Sequence, residues 1–243
     1  MCVESRHFCY PFFVNVTSIH AFAEKVVLIS DVSDPIGRAA ALQLGLQGAF
    51  VVGGLPVGNT DDGSIADLVS LGTLASSVEY DSPLTLKEAV EQKFGRLDLL
   101  INCVKYPSQS DFNDDVERRF ETQFADSVRQ MYLLTEACLD LMKERPKPKM
   151  VNVVRRFDQE KTGTALATAS QEAVISLTRS LAKDLPSNFR CNVISVPYSE
   201  AVADTGELFL RPAGFAADDA ARAIQYLLSS ESIAVNGQLI ELS

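Results

Sequence analysis

Lys25-Val-Val-Leu-Ile-Ser-Asp-Val-Ser-Asp-Pro-Ile-Gly37, followed by the alanine-rich run Arg38 to Leu46, decides the fold of this chain. Val26 to Ile29 is a short, apolar, β-branched run, and Ile36-Gly-Arg-Ala-Ala-Ala-Leu-Gln-Leu is a good helix former. A strand, a tight turn and a helix opening therefore follow one another. This is the place for a glycine-rich turn that cradles phosphates, yet most of the glycines are missing. The scaffold is legible and the cradle is dismantled.

Outward from this unit, apolar strand-like runs alternate with helical segments, the pattern of βαβ units and a parallel sheet. The spacing predicts strands at Val26–Ser30, Ala49–Val52, Ser76–Tyr80, Leu97–Asn102, Met150–Val154, Cys191–Val196 and Gln238–Leu242. Helices are predicted at about Ile36–Leu46, Ile65–Leu71, Leu84–Phe94, Val116–Glu144, Ala167–Asp184 and Asp219–Leu228. Ser82-Pro83 supplies a cap and an N1 proline to the third helix and Gly95 closes it, while Asp218 is read as the cap of the last helix. Pro146-Lys-Pro-Lys ends the long helix, since proline cannot continue its hydrogen-bond ladder.

At 243 residues and 47% apolar composition the chain can bury a full core as one domain over residues 25–243, preceded by an aromatic-rich arm over residues 1–24. A net charge of -10 without any Lys/Arg cluster argues against a nucleic-acid or anionic-membrane surface. No apolar run reaches the roughly 20 residues that span a bilayer. Five cysteines without C-x-x-C spacing read as reduced thiols of a cytoplasmic protein. The histidines, His7 and His20, both lie in the arm, so neither a His-ligated metal nor a His-based triad is expected.

Several phrases carry a resemblance. Phe94-Gly-Arg-Leu-Asp-Leu-Leu-Ile-Asn, Ala173-Val-Ile-Ser-Leu-Thr-Arg-Ser-Leu-Ala-Lys-Asp-Leu, Phe189-Arg-Cys-Asn-Val-Ile-Ser, and Asp219-Ala-Ala-Arg-Ala-Ile-Gln-Tyr-Leu-Leu-Ser-Ser-Glu with Gly237-Gln occur in order. Together they resemble the short-chain dehydrogenase/reductase (SDR) family from Lys25 to Ser243. The resemblance implies an α/β, Rossmann-like, doubly wound sheet of seven parallel strands with helices on both faces.

Position by position, the functional residues of that family are absent. Its TGxxxGIG turn falls on Ser30 to Gly37, where only Gly37 survives. Asp31 and Asp34 would bring carboxylates to a diphosphate, and Pro35 has no N–H to donate to it. The plainer reading makes Ser33 or Asp34 the helix cap, Pro35 its N1 residue and Gly37 a packing glycine. Gly53-Gly-Leu-Pro offers no ribose selector, although Asp81 sits where an adenine-contacting aspartate usually falls. The NNAG tetrad reads Asn102-Cys-Val-Lys105, with Lys105 read as a solvated side chain.

The catalytic tyrosine and lysine align with Ala167 and Gln171, the serine with Val154 or Arg155, and the asparagine with Ser127. Val196-Pro197 replaces the proline-glycine pair of the nicotinamide pocket, and a short acidic segment runs from Tyr198 to Leu210. Neither a hydride donor nor a proton donor remains, so no cofactor is expected on this chain. Arg155 and Arg156 are expected to fill the cleft through pairs with Asp31, Asp34 or Asp126.

The resemblance further implies a partner. Family members pair through two long helices, here residues 116–144 and 167–184, and Thr164, Ala165, Ala167, Ala169, Ala173 and Ser176 permit close approach. The chain looks like a pseudoenzyme, the silent subunit of a hetero-oligomer or heterotetramer whose active SDR paralogue carries NAD(P). A hydroxyacyl-CoA dehydrogenase such as that of anaerobic toluene (benzylsuccinate) breakdown is the example that the resemblance suggests. The alternatives are an NAD(P)-independent enzyme using Tyr106, Tyr198, Lys105, Arg155 or Arg156, and a ligand sensor working in the remodelled cleft.

Overall fold

The computed structural model describes residues 21–58, 64–105, 115–157, 164–197 and 217–243. Seven strands form one parallel sheet: β1 (Val26–Ile29), β2 (Phe50–Pro56), β3 (Ser76–Tyr80), β4 (Leu99–Cys103), β5 (Lys149–Arg156), β6 (Arg190–Pro197) and β7 (Leu239–Glu241). Their order across the sheet is β3-β2-β1-β4-β5-β6-β7. This is the expected doubly wound, Rossmann-like α/β fold in a single domain. The order reverses between β1 and β4, and the carboxyl ends on either side of that point form the crevice where such sheets bind ligands.

The central strands are apolar on both faces because helices cover both. In β1, Val27 and Ile29 join the core beneath α1 (Pro35–Leu46) and α7 (Ala217–Leu228), while Val26 and Leu28 join the core on the opposite face. That opposite face is covered by α3 (Pro83–Phe94), α5 (Gln130–Met142) and α6 (Ala165–Asp184). Each fully buried Val, Leu or Ile contributes about 1.5–3 kcal/mol. The remaining helices are α2 (Ser64–Ser70) and α4 (Val116–Phe124). Phe22, from the end of the N-terminal arm, is 3% exposed and packs in the first core; residues 1–20, with His7 and His20, lie outside the described residues.

Most boundaries agree with the sequence reading. Ser82 Oγ accepts from Leu84 N, Pro83 opens α3, and Gly95 closes it in the left-handed conformation at φ 64°. Three differ. The helix predicted over 116–144 is broken: five residues, Ala125–Arg129, take π-helical turns between α4 and α5. Inside the break Ser127 Oγ donates to Gln123 O at 2.5 Å, a back-bond of the kind that bends helices. Strand β2 runs on to Pro56 because Gly53 and Gly54 let the β1–α1 loop cross them: a Cβ on Gly54 would meet Ser30 O at 2.3 Å. Asp218 is not the cap of α7. The helix starts at Ala217, which places Asp218 in its first turn, where the helix dipole favours a carboxylate.

Candidate active-site cleft

The β1–α1 turn is held by two carboxylates. Asp34 takes an extended conformation as the N-cap of α1, and its Oδ1 accepts from Ile36 N at 2.8 Å and Gly37 N at 3.2 Å. Of the two capping candidates in the sequence, Asp34 rather than Ser33 does the capping. These free N–H groups are what a helix N-terminus offers an anion, and here a side chain of the same chain occupies them. The second oxygen, Oδ2, accepts from Arg155 Nη2 at 2.5 Å. The expected pair of Arg155 with a cleft aspartate is therefore made with Asp34.

Asp31 lies behind this cap and is 7% exposed. Its Oδ1 accepts from Ser33 N at 2.9 Å, Ser33 Oγ at 2.5 Å and Asp34 N at 3.2 Å. Burial pushes its carboxyl above the usual range, the Ser33 hydroxyl pulls it down, and the Asp34 charge pushes it up again. Gly37 packs as expected: a Cβ there would stand 1.9 Å from Asp31 O and 3.1 Å from Cys103 Sγ. A diphosphate brought to this turn would meet the Asp34 carboxylate on the amides and the Asp31 carboxylate behind it, with Pro35 donating nothing.

Of the positions aligned with the family's catalytic residues, Arg155 reaches the turn through Asp34 and Ser127 lines the neighbouring cavity. Val154, fully buried, and Arg155 end β5; Ala167 is half-buried in the first turn of α6, and Gln171, one turn on, is buried. Ser127 is fully buried in the π-helical stretch, which packs on α6 where Gln123 Nε2 donates to Ser170 Oγ at 2.9 Å. No Tyr, Lys, His, Asp or Glu stands at any of these positions. Arg156 turns to the sheet edge, donating to Leu242 O at 3.0 Å. Tyr106 and the segment from Tyr198 to Leu210 lie outside the described residues.

Beside the blocked turn a cavity of about 250 Å³ remains at the carboxyl ends of β1 to β4. Asp31, Asp81, Asn102, Lys105 and Ser127 line it. Asn102, 1% exposed, donates its amide to Asn152 Oδ1 at 2.7 Å and Thr135 Oγ1 at 3.3 Å, and Asn152 passes a bond on to Thr178 Oγ1 at 2.8 Å. Asp126, expected as an arginine partner, lines the cavity too, as do Tyr80 and Gln130, which were not singled out from sequence. Ser127, Gln130, Met131 and Leu134 recur at helical spacing along one face, which was the available signal. Desolvation raises both the Tyr80 phenol and the Cys103 thiol, so both stay protonated at neutral pH. Among the described residues no group of His, Cys, Asp and Glu is placed to hold a metal ion, and no helix is long and apolar enough to cross a membrane.

A doubly wound parallel sheet with a cleft at its reversal point defines a class of open α/β protein whose ligands sit at that point. The family model described as "Enoyl-(Acyl carrier protein) reductase" matches residues 32–242, and the chain belongs to the short-chain dehydrogenase/reductase family of oxidoreductases. It is 25% identical over 173 residues to "Dehydrogenase/reductase SDR family member 6" of Danio rerio, covering 70% of this chain and 69% of that one. It is 23% identical to a 3-oxoacyl-(acyl-carrier-protein) reductase of Haemophilus influenzae, covering 90% of this chain and 96% of the relative. A dehydrogenase/reductase from Sinorhizobium meliloti superposes with a TM-score of 0.77 at 18% identity, over 95% of this chain and 98% of that one, a likeness of fold.

Proposed function

We propose that this chain is a catalytically silent SDR subunit that supports or regulates an active SDR paralogue in a hetero-oligomeric oxidoreductase. The observation that carries the reading is the doubly engaged Asp34, which caps α1 through one oxygen and pairs with Arg155 through the other. An anion and a cation of the chain itself stand where the family places a diphosphate and a catalytic serine. NAD(P) is then bound by the partner and not by this chain.

The docking face is formed by α5 and α6, within the stretches 116–144 and 167–184 of the sequence. Tyr132 and Leu133 are 39% and 38% exposed on α5, and Ala165, Ala169 and Ser176 are exposed on α6, so a partner helix can approach closely. An acyl-thioester substrate for the assembly, the class that includes hydroxyacyl-CoA, is supported by the description of the family model and the name of the Haemophilus relative. A reducing, cytoplasmic setting is supported by the free, buried Cys138 and Cys191, both with thiol pKa values pushed up to about 12 by burial. The ligand-sensor reading is favoured by one feature, the cavity beside the closed turn.

The test is calorimetric titration with NADH and NADPH, with the native mass and co-purifying chains read on the same preparation. No saturable heat, together with a mass that includes an SDR chain bearing an intact Tyr and Lys, is the expected result. Binding at micromolar affinity or better overturns the proposal.

A further inference from the structure

We draw no further inference here: the strongest candidate, the exposed apolar stripe of Val116 and Phe120 on α4, where the Phe120 ring stacks on that of Phe124, carries nothing because the structure does not show what covers it.

Discussion

Arg155, at the end of β5, and Asp34, at the start of α1, are 121 residues apart and meet in a charge-assisted hydrogen bond of 2.5 Å. Their side chains are 14% and 23% exposed, so the pair is screened less than a surface ion pair. It joins the carboxyl end of one strand to the amino end of the helix that follows another, across the crevice where the family binds its cofactor. Replacing Asp34 with Ala should cost about 1–2 kcal/mol through the lost cap alone. In a double-mutant cycle with Arg155→Met, measured by urea unfolding, a coupling of roughly 0.5–3 kcal/mol is expected. Arg155→Ser puts a serine at one of the two positions, Val154 or Arg155, that align with the family serine, but it leaves Asp34 on the helix amides, so it should not produce NADH binding.

Asp98 clasps the amino ends of the sheet. It is 2% exposed, and its carboxylate accepts from Val26 N at 3.0 Å and Arg145 Nε at 2.9 Å, with Lys25 and Arg96 at 3.6 and 3.8 Å. Asp98→Ala leaves a buried amide and a partly buried guanidinium unpaired. A loss of roughly 3–5 kcal/mol is expected in chemical unfolding, and a change under about 1 kcal/mol would show that water replaces the clasp.

Lys149 is 4% exposed and donates to Ser229 O and Ser232 Oγ. Burial, with Arg190 and Lys147 nearby, lowers its pKa from 10.5 to about 8. In this interval the unfolded chain holds a proton that the folded one has lost, so the contribution of Lys149 to stability rises with pH between about 8 and 10.5. Comparison with Lys149→Met isolates the effect: the stability difference between the two proteins should change by about 3 kcal/mol across that window.

Asp31 has the opposite sign. Its folded pKa is raised, so as pH climbs above the ordinary 3.8 the unfolded chain ionises first and stability falls until the folded carboxyl has ionised too. Asp31→Asn keeps an oxygen for Ser33 and Asp34 and removes the buried charge. It should melt higher than the wild-type chain at neutral pH, with the difference vanishing below pH 3.8.

Gly37→Ala forces a Cβ to within 1.9 Å of the Asp31 carbonyl, a backbone atom that cannot swing aside. Overpacking of this kind costs roughly 1–3 kcal/mol, and the disturbed turn should also weaken the Asp34 cap, seen as faster amide exchange at Ile36 and the first turn of α1.

The strand and helix pattern was legible because both faces of the sheet are buried, which makes β1 an unbroken Val-Val-Leu-Ile run and leaves α1 rich in alanine. The capping of α3 by Ser82, Pro83 and Gly95 was legible because caps are local chemistry. The break in the 116–144 helix was not, because it depends on where the Ser127 hydroxyl finds its acceptor. The extension of β2 through Gly53 to Pro56 was hidden for a similar reason: glycine and proline read as a turn until the neighbouring loop is seen crossing them.

By itself, the sequence determined the order of the elements and the parallel sheet, since both depend on residue identity and local periodicity. Tertiary structure alone decided which aspartate caps α1 and which one Arg155 meets, because that pairing is set by β5 lying beside β4 and within reach of the β1–α1 turn. It alone also showed that a cavity remains beside the closed turn. Hydrogen-bond satisfaction belongs to atoms from distant strands and helices, and no local pattern encodes it.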